Sequence, residues 1–75
     1  MQHEEIKQLA EAYGFLEIES KNPHMYSFQK EENNDARINV YFTTGTVTVQ
    51  YKSAKPMKSH KQVELEEFED ILMNI

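Results

Sequence analysis

RINVYFTTGTVTVQY, residues 37–51, alternates apolar and polar side chains on both sides of a Thr-Gly step. In the first run Ile38, Val40 and Phe42 fall on one side, with Arg37, Asn39 and Tyr41 on the other. In the second, Val47, Val49 and Tyr51 oppose Thr46, Thr48 and Gln50. A period of two is that of a strand with one buried face. Thr44-Gly45 supplies the chemistry of a tight hairpin connection between the runs. These residues therefore predict two paired antiparallel strands, which commits the chain to a sheet.

Working toward the amino terminus, MYSFQK continues the pattern, with Tyr26 and Phe28 on one face and Met25, Ser27 and Gln29 on the other. FLEIES alternates from Leu16 to Ile18 and predicts a further strand. Asn22-Pro23 is turn chemistry, and EENND, residues 31–35, reads as a polar, solvated connection. Before these, Ile6, Leu9, Ala10 and Tyr13 recur at i, i+3, i+4 and i+7 and gather on one face of a helix. Gly14 provides the left-handed residue that commonly ends a helix, and Phe15 the apolar contact beyond it. Toward the carboxyl terminus, VELEEFEDILMNI places Leu65, Phe68 and Leu72 on one helical stripe beside Ile71 and Ile75. Glu64, Glu66 and Glu67 suit the positive end of that helix's dipole.

The expected fold is a single α+β domain over residues 1–75, two-layered and of αββββα order, with both helices on one face of an antiparallel sheet. The expected core is Phe28, Val40, Phe42, Val49, Leu65, Phe68 and Leu72 with Leu9 and Tyr13. The opposite sheet face is left to water and displays Ser27, Gln29, Arg37, Asn39, Tyr41, Thr46, Thr48 and Gln50.

With 75 residues and no cysteine, the chain has room for one small core and neither a disulfide nor a thiolate metal site to reinforce it. MQHEEIKQLAEAYG is charged and lacks an apolar run of signal-peptide or membrane-spanning length, so a soluble, cytoplasmic protein is expected. Thirteen acidic against eight basic residues give a net charge of −5, which argues against tight non-specific nucleic-acid binding. The two glycines cannot build a phosphate-binding loop. His3, His24 and His60 fit no metal-ligand spacing, and neither metal nor cofactor is expected.

Three groups of residues stand out as candidate sites. His24 follows Asn22-Pro23 and could serve as a general acid or base, or be only a turn residue. Lys52, Lys55, Lys58 and Lys61 recur every third residue and would share one side of a polyproline-like ribbon able to contact phosphates; the alternative is a solvated loop balanced by the acidic helix after it. Partner contacts are expected from Arg37, Asn39, Tyr41, Thr46 and Thr48 on the sheet face and from Glu66, Glu67 and Glu69 on the second helix.

EEIKQLAEAYGF, LEIES and KNPHMYSF, taken in order, resemble the start of the HicA-like ribonuclease toxins, which share the double-stranded-RNA-binding topology. That resemblance implies a catalytic role for His24. Asn22-Pro23 stands where that family has Gly-Ser, and the acidic VELEEFED replaces its basic second helix. RINVYFTTGTV also resembles paired strands of small bacterial and phage proteins, a likeness that implies no chemistry. The function expected on balance is a small acidic intracellular binding or inhibitory protein, phage-derived in character and non-catalytic, acting on a host protein with a basic site. The alternative is a HicA-like ribonuclease using His24. The sequence carries no sign of oligomeric state.

Overall fold

A computed structural model of the chain describes residues 1–30, 36–51 and 58–75. The element order is α1 (His3–Ala12), β1 (Phe15–Ile18), β2 (Met25–Lys30), β3 (Ala36–Tyr41), β4 (Thr46–Tyr51), β5 (Lys58–His60) and α2 (Leu65–Met73). The strands form one antiparallel meander in the order β1-β2-β3-β4-β5. The α+β class, the two helices and the antiparallel sheet are as the sequence predicts. The sheet has a fifth strand that the sequence does not announce.

Helix α1 starts where the Gln2 backbone N–H donates to Glu5 Oε1 at 3.2 Å, satisfying a donor that the helix leaves free. It ends at Gly14, whose φ of +85° is open to glycine at little cost. Ile6 and Ala10 are buried, and Leu9 and Tyr13 pack against the same cluster. In β2, β3 and β4 the alternation sends Phe28, Ile38, Val40, Val47 and Val49 toward the helices. From α2 come Phe68, Ile71 and Leu72. All belong to one cluster, so both helices cover the same sheet face.

Three expectations about this core are corrected. Phe42 lies just past the end of β3, in the four-residue turn to β4, and is 39 % exposed. Its ring stacks on Tyr26 at 4.6 Å, and Tyr26 stacks on His3 at 4.2 Å. Leu65, the first residue of α2, is only half-buried, while Val63, two residues before it, is buried. Val63 and Phe68 stand one before and four after the capping Glu64, the spacing of a hydrophobic staple. Phe15, outside the expected core set, joins it as the first residue of β1.

The loop expected around Lys58 and His60 is the strand β5, paired with β4 from Val47↔His60 to Val49↔Lys58. The pairing is backbone chemistry: β4 would otherwise end the sheet with unmet N–H and C=O groups, and a strand of any composition can meet them. Tertiary anchoring holds it there. The Val63 N–H donates to the Gly45 carbonyl at 2.9 Å, and Gln62 adopts a φ of +54° to bring the chain round. Gly45, at φ +73°, is also approached by Gln62 Cα, which would lie 3.4 Å from an added Cβ. Only Lys58 and Lys61 of the expected lysine ribbon can be placed. Lys58 is in an antiparallel strand and Lys61 follows it, so this part of the segment is not a polyproline ribbon. Lys52 and Lys55 lie outside the described residues, as does the connection over residues 31–35.

Candidate functional site

The sheet face away from the helices carries three cross-strand rows. The central one is Ser27, Asn39 and Thr48, directly opposite one another on β2, β3 and β4. On one side of it lie Gln29, Arg37 and Gln50, and on the other Met25, Tyr41 and Thr46. The sequence predicts a face open to water, and its centre is not. Ser27 is 3 % exposed, Asn39 and Thr48 each 7 %. Their short side chains lie between longer neighbours that shield them.

A buried polar side chain is tolerated only when hydrogen-bonded, and these three satisfy one another. Ser27 Oγ donates to Asn39 Oδ1 at 2.9 Å, while Asn39 Nδ2 donates to Thr48 Oγ1 and to Gln50 Oε1, each at 3.3 Å. Among the described residues no buried side-chain nitrogen or oxygen lacks a partner. Asn39 is the hub of a polar floor whose rotamers are fixed before anything binds.

Above this floor runs a groove of about 510 Å³, bounded by Arg37 and Gln50 toward one end, Met25 and Tyr41 toward the other, and Glu19 and Lys21 from the β1–β2 connection. Arg37 and Gln50 are exposed and Tyr41 is half-buried. Four of the five partner contacts expected from this face, Arg37, Asn39, Tyr41 and Thr48, line the groove, and Thr46 sits beside Tyr41 in the register. Asn39 and Thr48 serve as its floor rather than as exposed contacts. Met25, Ser27 and Gln50 share this face in the sequence pattern without being expected contacts, and Glu19 and Lys21 carry no signal for it, because they lie in a turn whose placement over the sheet depends on the register of β1 with β2.

The residues expected on α2 divide. Glu66 and Glu67 are exposed, but Glu69 accepts a hydrogen bond from the Tyr13 hydroxyl at 2.8 Å and so ties α2 to α1. Glu67 and Asp70 face Lys58 and His60 across a smaller cavity of about 280 Å³ between α2 and the edge of the sheet. The hydrogen bond to Glu69, with burial and the nearby charges of Glu69 and Asp70, raises the Tyr13 pKa above its ordinary 10.0. A pKa raised on folding contributes stability below the unfolded value that is lost as pH rises through the folded one. Stability is therefore expected to fall above pH 10.0 with a Tyr13 component that Tyr13→Phe removes. Denaturant midpoints at successive alkaline pH values, with ultraviolet titration of the phenolate, measure it; identical pH slopes in the two proteins would contradict the assignment.

His24 lies on an exposed turn. Its backbone N–H donates to Asn22 Oδ1 at 2.8 Å, its carbonyl accepts from the Phe42 N–H at 3.2 Å, and its ring is tilted against Phe42 with centroids 6.2 Å apart. It does not line the groove. Lys58 and Lys61 are exposed. Among the described residues no group of three or more His, Asp or Glu could hold a metal ion, and no helix is long and apolar enough to cross a membrane.

Comparison of the chain with protein-family models, with curated proteins and with solved structures finds no match.

Proposed function

We propose that the chain is a non-catalytic binding domain that captures a protein partner across the groove of its sheet face. The observation that carries this reading is the hydrogen-bonded floor of Ser27, Asn39 and Thr48 beneath an exposed Arg37 and a half-buried Tyr41. A fixed floor lowers the ordering entropy that association costs. Arg and Tyr are residue types that commonly dominate interface energetics. The acidic helix has weaker support as the contact surface, because Glu69 is engaged by Tyr13 and Glu67 faces Lys58 across a cavity.

The test is affinity capture from cell extract with four baits: the wild-type chain, Arg37→Glu, Tyr41→Ala, and Glu66→Lys with Glu67→Lys. A captured protein should bind the purified wild-type chain directly, disappear with either sheet-face variant and survive the helix-two variant. Retention by both sheet-face variants and loss with the helix-two bait would transfer the function to α2. Binding of RNA in place of protein, in a mobility shift at two salt concentrations, would overturn the protein-partner reading.

A further inference from the structure

The direction of the hydrogen bonds on the sheet face bears on what the groove can receive. Gln50 Oε1 accepts from Asn39 Nδ2. That uses the carbonyl end of the Gln50 amide and leaves its NH2 group, with two donor hydrogens, on the exposed side. Arg37 is directly opposite Gln50 in the β3–β4 register and is exposed. Among the described residues its guanidinium makes no hydrogen bond or ion pair, although the chain carries thirteen acidic residues. A planar fork of donors and an amide NH2 thus stand side by side at one end of the groove. At the other end, Glu19 and Lys21 offset one another in charge, and Met25 and Tyr41 offer apolar surface.

We infer that the groove takes an extended acidic peptide segment of the partner, with an Asp or Glu carboxylate seated on Arg37 and Gln50 and the neighbouring residues running along the strands toward Tyr41. This rests on the binding-domain reading above and names the partner's chemistry. Carboxylate supplies two acceptor oxygens in the plane that a guanidinium fork addresses, and such charge-assisted pairs are the stronger class of hydrogen bond. The local charge at Arg37 is complementary to that ligand even though the whole chain is at −5. A basic segment would meet the Arg37 cation at this end, the Glu19 carboxylate lying toward the other. The fixed floor also suits an extended backbone lying flat along the strands.

The experiment is a titration of the isotopically labelled full chain with two capped hexapeptides of alternating Val and Glu or Val and Gln, followed by amide chemical shifts. A single-stranded RNA oligonucleotide is a third arm. The Glu peptide should saturably shift Arg37, Asn39 and Gln50. The Gln peptide should bind about tenfold or more weakly, and Arg37→Gln should remove that preference while Arg37→Lys restores part of it. Added salt should weaken the Glu peptide more than the Gln peptide. Equal binding of both peptides to the sheet face would overturn the carboxylate assignment and leave the binding-domain reading standing. No sheet-face shift with either peptide, or a shift with the oligonucleotide alone, would overturn the inference; the capture experiment with the Tyr41→Ala bait then decides the broader reading separately.

Discussion

Replacing Phe68 with alanine is expected to lower the unfolding free energy by about 3–5 kcal/mol. Its side chain is fully buried at the junction of α2, the sheet and α1, where the chain has its one core cluster. Removing the ring loses the transfer free energy of its carbons and leaves a cavity in the one core cluster, which a close-packed interior fills only in part. In a domain of this size that is a large part of the total stability. Phe42→Ala is the internal control. Phe42 is an aromatic residue in the same alternating pattern, but it is exposed and stacked on Tyr26, so its truncation should cost at most about 1.5 kcal/mol. Urea unfolding of the three proteins with a common m-value measures both effects. Equal costs at the two positions would show that α2 does not pack where Phe68 places it.

Asn39→Ala is expected to cost about 1–3 kcal/mol although it deletes only a small polar group. Ser27 Oγ loses its acceptor, and Thr48 and Gln50 lose the donor they share. Ser27 and Thr48 remain buried beneath their longer neighbours, so they are left unsatisfied where water has poor access. The triple variant Ser27→Ala, Asn39→Leu, Thr48→Val tests the explanation. It removes every partner in the central row together and should recover most of the lost stability, because apolar replacement of a whole network can be nearly neutral. Failure of the triple variant to recover stability relative to Asn39→Ala would mean that packing, and not unmet hydrogen bonds, sets the cost. The triple variant should also lose sheet-face binding, since Gln50 would no longer be oriented by Asn39.

The alternation in residues 37–51 and the helical stripes at Ile6–Tyr13 and Phe68–Leu72 were enough to determine the class, the register of apolar faces and the side on which both helices pack. Those features follow from local periodicity, which the sequence displays directly. Where the pattern ended was a tertiary matter. Phe42 continues the alternation perfectly well and is exposed in the turn beyond β3; Val63, outside both predicted stripes, is buried where its N–H bonds the Gly45 carbonyl on the way to α2. Strand β5 had no periodic signal in KSH, since an edge strand needs only backbone groups and a neighbour with unmet ones.

The site divides in the same way. Arg37, Asn39, Tyr41 and Thr48 could be assigned to one face from spacing alone, because successive strand residues point to opposite sides. That Asn39 and Thr48 are buried while Arg37 and Gln50 are exposed could not, because burial within a polar face depends on which long side chains flank each row. Nor could the engagement of Glu69 by Tyr13, which joins residues far apart in the chain. By itself the sequence determined which residues share a surface. Only the tertiary structure decided which of them the surface leaves available, because hydrogen bonds between rows, and not the period of two, commit one polar atom to its neighbour and leave the next one facing out.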